Sequence, residues 1–313
     1  MNEIVVSVII ASYNSRFTIE KCLRSLLNQR TSRGFEIILV DSSTDGTAEL
    51  VRQEFSAVKV HHFNDRKFPG EARNIGITKA RGRIMALIDA DCVAADDWLE
   101  QLAAAHESSR SAIGGAIGNA NPESRLGWAA YFCEFSQWMP GTKGGAMTDI
   151  AAANMSYKRS LFDLYGPLSE GGYCSDTDFH WRLAANGHRL WFVPEIQVSH
   201  HNIDQFNKFL RHEFFHGQSF ARVRIDHHRF SRLKRSLYAA FWPLIPLKLM
   251  LRTTRACLAN RHYRHAFCQS APLVFLGILS WSMGEASIYA GLGLKKIGRP
   301  MAPAAQLPTS AQS

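Results

Sequence analysis

Two aspartates, Asp89 and Asp91, stand two residues apart directly after the apolar run Ile84-Met85-Ala86-Leu87-Ile88. Where a backbone leaves a buried strand, carboxylates at that spacing can both turn toward one ligand. Their hard oxygens suit Mg²⁺ or Mn²⁺, ions that keep coordination positions open for phosphate oxygens. A third acid, Asp41, follows a second apolar run at residues 35–40 and opens the turn-forming stretch Asp41-Ser42-Ser43-Thr44-Asp45-Gly46. Most Asp-x-Asp pairs are merely solvated loop acids; the position after a strand is what gives this one weight. Further on, Asp176 and Asp178 introduce a helical pattern, and His200 and His201 lie a few residues past the segment Trp191-Phe192-Val193-Pro194-Glu195. A histidine in such a place is either a metal ligand or an ordinary surface or core residue.

The elements that must position these groups alternate along the first ninety residues. Residues 5–12 form an unbroken apolar run, as expected of a strand covered on both faces. Residues 18–29 then place Ile19, Cys22, Leu23, Leu26 and Leu27 at helical spacing. Further strands fit 35–40, 58–63 and 84–88, and further helices fit 47–55 and 71–80. This alternation with short links predicts an α/β fold with a mostly parallel sheet flanked by helices, whose ligands sit at the carboxyl ends of the strands. Asp41 and the Asp89/Asp91 pair lie just past such ends. From 100 to 200 the pattern is less regular: glycines at 114, 115, 118, 141, 144 and 145 mark loops, a short helix fits 178–185, and a longer one fits 203–224.

Composition narrows the class. The chain has 313 residues, 46% of them hydrophobic, enough for one large domain or a domain with an appendage. Residues 1–10 lack the basic start, apolar stretch and cleavage site of a signal peptide, so the N-terminal part is expected in the cytoplasm. Six scattered cysteines without a C-x-x-C pair read as reduced thiols. The net charge of +9 is unevenly spread: residues 1–200 hold 20 Lys+Arg against 23 Asp+Glu, a balance of −3, and residues 201–313 hold 16 against 4, a balance of +12. A basic, apolar tail on a slightly acidic domain points to anionic lipid as partner, not nucleic acid.

Four segments, taken together, carry a resemblance. VSVIIASYN (residues 6–14), EIILVDSSTDGT (36–47), GEARNIGITKARGRIMALIDADC (70–92) and SDTDFHWRLAANGHRLWFVPE (175–195) occur in the order seen in family-2 glycosyltransferases, which the chain resembles over roughly residues 4–220. The resemblance implies a GT-A fold, with a Rossmann-like nucleotide half and an acceptor half, and a nucleotide-sugar donor, with UDP the expected nucleotide. By the same resemblance Ala11, Tyr13 and Asn14 form part of the nucleotide site, with Tyr13 beside the base, and Asp41 accepts from the uracil or ribose. Arg73 and Asn74 shape the donor pocket, Asp89 faces the ribose, and Asp91 holds the metal, with His200 completing the metal or diphosphate site. Asp176 matches the position of the base that activates the acceptor hydroxyl. The family's leading glutamate is Ser175 here, and Ala11 stands where proline is common. Asn154 resembles part of the acceptor-side wall, and Asp178 either belongs to that pocket or caps the helix it opens.

Two same-fold or same-ligand alternatives lack their signatures. A sugar nucleotidyltransferase wants a glycine-rich basic loop after the first strand, and a dinucleotide oxidoreductase wants G-x-G-x-x-G there; Ile9-Ile10-Ala11-Ser12-Tyr13-Asn14 offers neither. A catalytically idle membrane partner that keeps the fold is encouraged only by Ser175.

The C-terminal part contains two apolar stretches. Leu237–Leu251 is 15 residues long and holds Pro243, Pro246 and Lys248; Ala271–Leu294 is 24 residues long and holds Glu285. A spanning helix wants about 20 apolar residues. A two-span hairpin would also put Arg252, Arg255, Arg261 and Arg264 outside, against the positive-inside tendency. Helices lying in the interface keep these cations, with Lys234, Arg235, Lys295, Lys296 and Arg299, on the cytoplasmic side; true spans, or a helix pair buried in a dimer, are the alternatives. The expected organisation is therefore a catalytic domain at 1–225, a basic membrane-associated segment at 226–298, and a disordered tail at 299–313. The acceptor is expected to be lipid-linked or a saccharide.

Overall fold

A computed structural model describes residues 3–292. The tail at 299–313 and the cations Lys295, Lys296 and Arg299 lie outside the described residues. The first half alternates as expected: β1 (Ile4–Ser12), α1 (Ile19–Leu27), β2 (Gly34–Asp41), α2 (Thr47–Glu54), β3 (Val58–His62), α3 (Pro69–Lys79) and β4 (Ile84–Asp89). The segment read as irregular supplies β5 (Cys92–Ala94), α4 (Trp98–Ala105), β6 (Ala112–Asn119), α5 (Arg125–Phe135), β7 (Gly145–Met147), β8 (Asn154–Lys158), α6 (Ser160–Tyr165), α7 (Ser175–Ala185) and β9 (Leu190–His200). Four helices follow: α8 (Phe206–His228), α9 (Arg232–Ala240), α10 (Leu244–Ala259) and α11 (Arg264–Tyr289).

The strands form one sheet in the order β3-β2-β1-β4-β8-β6-β9-β5, with β7 also paired to β9. Only the first four are uniformly parallel. β8 runs antiparallel to both β4 and β6, and β5 and β7 antiparallel to β9. The sheet is thus α/β and flanked by helices, but mixed where it was expected to be mostly parallel. β1 explains why the parallel half was legible: Val6, Val8 and Ile10 enter one core and Ile9 the other, all fully buried. A residue at 76 with a side chain would collide with Ile9, so Gly76 lets α3 lie against β1. Register then fixes the chemistry at one sheet end, pairing Ser12 with Asp41 and Ala11 with Asp89.

Two boundaries move. Residue 225, where the border of the catalytic domain was expected, falls inside α8. The stretch at 237–251 is broken at Phe241-Trp242-Pro243 into α9 and α10, and α11 begins at Arg264, seven residues before the apolar run. α11 packs along α8 and α5. At 217 and 284 a side chain would strike the carbonyl oxygens of Trp281 and Phe214, so two glycines bring the backbones of α8 and α11 into contact. Arg224 of α8 also donates to Glu285 of α11 at 3.2 Å. The segment read as an appendage is part of the packed body. By length and composition α11 is nonetheless long and apolar enough to cross a membrane.

Candidate active site

A cavity of about 1280 Å³ opens at the carboxyl ends of β1 and β4 and extends under α8, α10 and α11. Pockets for one drug-sized ligand are typically ~300–1,000 Å³, so this space has room for two reactants. Ala11, Tyr13, Arg73, Asp89, Asp91, Ser175, Asp176 and His200 all line it. These residues come from five segments of the sequence, brought together by strand order.

Asp89 ends β4 and accepts from Arg73 Nη2 at 2.6 Å. Burial holds its carboxyl above the usual carboxylate range despite that pair. Asp91 lies just before β5, whose antiparallel pairing places Cys92 opposite His200. Asp91 Oδ1 sits 3.2 Å from His200 Nε2. That contact is close enough for attraction but off-axis for a hydrogen bond, and Oδ1 is a buried oxygen with no hydrogen-bond partner. Burial alone would raise Asp91 and lower His200, yet their mutual attraction wins, moving Asp91 down and His200 up to about 9. Burial keeps the neighbouring Cys92 a neutral thiol.

An oxygen of Asp91 without a donor, beside an imidazole nitrogen, is a fitting start for a hard divalent cation. Ligand atoms of Asp91, Cys92 and His200 all lie within 4.8 Å of one another, and the carboxylate and imidazole are the pair suited to Mg²⁺ or Mn²⁺. The far side of His200 is fixed as well. Its Nδ1 is 3.1 Å from Asn202 Oδ1, and its ring packs on Phe135 at 4.8 Å. Asn202 is itself held by Asn119 and Asn121. With Nδ1–H donating to Asn202, Nε2 keeps its lone pair for a metal, the usual orienting arrangement for a ligating histidine. Neither asparagine nor phenylalanine carried a sequence signal.

Asp176 sits in the first turn of α7, and its carboxylate accepts from the N–H groups of Ala152 and Thr177 at 3.0 Å each. Burial opposes its ionisation, but Arg73 and His180 together hold it below the usual range. A second carboxylate, Asp149, stands at the same helix end: Thr177 Oγ1 donates to it at 3.0 Å, and His180 Nδ1 lies 2.5 Å away. Asp149 lines the cavity and was not anticipated. Arg66 lies 4.3 Å from the centre of the Tyr13 ring, and Arg66 and Lys67 add two cations beside it.

Other expected residues stand elsewhere. Asp41 is fully buried and does not line the cavity; its oxygens are taken by Ser12 Oγ, the Ser43 N–H and hydroxyl, and His62 Nδ1. Asn14, at φ 53°, donates its N–H to Ser43 Oγ and accepts the Thr44 N–H at its Oδ1, outside the cavity. Asn74 binds the Leu168 backbone from both ends of its amide. Asn154 is not a pocket wall. Its buried amide bridges Ala116 O, Ile196 O and Trp98 Nε1, stitching β6, β9 and α4. α7 starts at Ser175, three residues before expectation, so Asp178 is inside the helix, not its cap; it pairs with Arg182 at 3.2 Å, away from the cavity.

With this geometry in place, comparison with known proteins is informative. The profile of the family described as "Glycosyl transferase family 2" matches residues 7–165. Glycosyltransferase AglE of Haloferax volcanii is 28% identical over 250 residues, covering 77% of this chain and 80% of that protein. A dolichyl N-acetyl-alpha-D-glucosaminyl phosphate 3-beta-D-2,3-diacetamido-2,3-dideoxy-beta-D-glucuronosyltransferase of Methanococcus voltae is 23% identical over 237 residues, covering 68% of this chain and 71% of that protein. The fold is shared with the mannosyltransferase PcManGT of Pyrobaculum calidifontis, solved with GDP-Man and Mn²⁺: TM-score 0.57 and 18% identity, covering 90% of this chain and 86% of that one.

Proposed function

Because the chain belongs to glycosyl transferase family 2, we propose that it is a metal-dependent, inverting glycosyltransferase that moves a sugar from a nucleoside diphosphate, with UDP favoured, to a hydroxyl of a lipid-linked or polysaccharide acceptor. The observation that carries the reading is one cavity lined by Asp89, the Asp91–His200 pair and Asp176. Tyr13 takes the base against its face, with Arg66 above it, and Asp89, steadied by Arg73, faces the ribose. Asp41 and Asn14 act from behind: they tie the segment after β1, on which Tyr13 stands, to Ser43 and Thr44 after β2. Asp91 and His200 hold Mg²⁺ or Mn²⁺, which when bound neutralises the charge that develops on the leaving diphosphate. Arg66 and Lys67 add fixed positive charge on the same side. Asp176 receives the acceptor proton from the opposite side. Asp149 gives the N-terminus of α7 a second carboxylate where Ser175 supplies none.

The donor is testable without knowing the acceptor. Nucleotide sugars carrying UDP, GDP and dTDP, each with Mn²⁺, should include at least one that raises the melting temperature, since a ligand bound only to the folded state stabilises it. At 100 times its Kd the gain is about 2.7 kcal/mol. A panel in which neither nucleotide sugars nor free nucleoside diphosphates shift the melting point sinks the reading.

Exposed apolar side chains on α9 and α10 support an acceptor side at the cytoplasmic face of the membrane. Leu233, Leu237, Phe241, Leu244, Leu247 and Leu251 recur every three or four residues and are 49–72% exposed. A helix surface of this kind, with Lys234, Arg235 and Arg255 among it, suits an interface of anionic lipid. The membrane-facing segment therefore begins near Ser231, past α8, and its Phe241 and Leu244 stand at the rim of the cavity that Lys248 and Arg252 also line. Leu247→Asp/Leu251→Asp should weaken co-sedimentation of the full chain with anionic vesicles on the order of 100-fold, each leucine being worth ~1.5–3 kcal/mol when buried. Unchanged sedimentation would remove α10 from the interface.

A further inference from the structure

We infer that the cavity holds a second divalent-cation site, built by Glu134, His212 and His216 and suited to Zn²⁺. His212 and His216 lie one turn apart on α8, so both imidazoles project from one face. Glu134 comes from the neighbouring α5, and its Oε1 lies 3.3 Å from His212 Nε2. One ligand atom from each of the three lies within 4.8 Å of the others. Two imidazoles and one carboxylate are a donor set that zinc takes when it keeps a fourth position open. All three residues line the cavity, so the open position faces its interior, where water or an anionic oxygen can enter.

Two neighbours reinforce the site. Tyr173 packs against both rings, with centroid distances of 5.2 Å to His212 and 5.8 Å to His216, limiting their rotation. Glu213, next to His212 on α8, is 2% exposed and also lines the cavity, yet its Oε1 has no hydrogen-bond partner. A buried acceptor left without a donor points to a cation or water held beside it. A simple ion pair between Glu134 and His212 involves neither His216 nor Glu213.

The site is distinct from the Asp91–His200 pair because its ligands stand on α5 and α8, not at the β5–β9 edge. The two are close: Phe135, next to Glu134, packs on the His200 ring at 4.8 Å. The inference rests on the three ligands alone and not on the transfer reaction.

The test uses the full chain in detergent, stripped of metal, loaded with Zn²⁺ without nucleotide and dialysed, with metal counted by mass spectrometry. One equivalent should survive Asp91→Ala/His200→Ala and be lost in His212→Ala/His216→Ala and in Glu134→Gln, whose volume is unchanged. Far-UV circular dichroism of the metal-free variants checks that the fold persists. A second reading needs no variant: Zn²⁺ should protect His212 and His216 of the wild type from diethylpyrocarbonate, mapped by peptide mass. Equal modification with and without Zn²⁺, or a folded protein that carries His212→Ala/His216→Ala on top of Asp91→Ala/His200→Ala and still keeps its zinc, overturns the site. Neither readout involves a sugar nucleotide, so a negative result here leaves the donor reading standing.

Discussion

Asp176→Asn is expected to lower kcat by about 10²- to 10⁴-fold while donor affinity stays near the wild-type value, the span that a positioned general base contributes. The carboxylate lines the same cavity as Asp89 and Asp91. It is held by two backbone N–H groups, from Ala152 and Thr177, and by the charge of Arg73. Those same contacts make it a weaker base than a free aspartate, so positioning carries its role. They also set the pH dependence. A group whose pKa lies below the ordinary ~3.8 stays ionised through the working range, so the acidic limb of kcat should fall below that of an exposed aspartate. The asparagine keeps one accepting oxygen but turns an amide toward the other N–H, at a stability cost of ~1–3 kcal/mol. Melting curves separate that cost from catalysis. If kcat and donor affinity fall together in a folded protein, Asp176 only organises the start of α7, and the base lies elsewhere.

What could be read before the structure followed from locality. The strand run ending in Asp89 declared itself because a central parallel strand is apolar on both faces, and Asp91 followed by adjacency. His200 was legible only through its spacing from the preceding segment; the β9–β5 pairing that delivers it to Asp91 is a contact across more than 100 residues, with no trace in either segment. Asp149, Glu134 and His212 were invisible for the same reason. Asp149 and Glu134 lie in stretches without periodicity or motif, His212 in a helix whose pattern marks no ligand, and their neighbours are set only when α5, α7 and α8 converge. Asn154 was misplaced because a buried amide that stitches two strands looks, in sequence, like one that meets a substrate. The C-terminal segment was legible in part. Its hydrophobicity was plain, but Gly217 and Gly284 show their purpose only in the crossing of α8 and α11, where each admits the other's backbone. Lipid-facing and protein-facing apolar surface have the same composition.

Asp91→Ala is expected to abolish Mn²⁺-dependent stabilisation by nucleotide sugars and to reduce kcat/KM on the order of 10³-fold, matching the several kcal/mol that a divalent ion supplies to a developing diphosphate charge. The loss should appear in donor binding as well as turnover, unlike the split expected for Asp176→Asn, because a cation held by Asp91 and His200 would tie the donor to the protein before any bond breaks. A second, independent signal comes from His200. With Asp91 in place its proton is held up to about 9 in the metal-free protein; burial pulls the other way. Removing Asp91 takes away the largest of the attractions, so the His200 pKa should drop, and NMR titration of the metal-free variant should show the ring neutral at a pH where the wild type is charged. The two readouts guard each other. A fallen His200 pKa with undiminished Mn²⁺ dependence would mean that the pair is electrostatic only and that the cation is held without it, and the metal assignment at the tip of β4 would be lost.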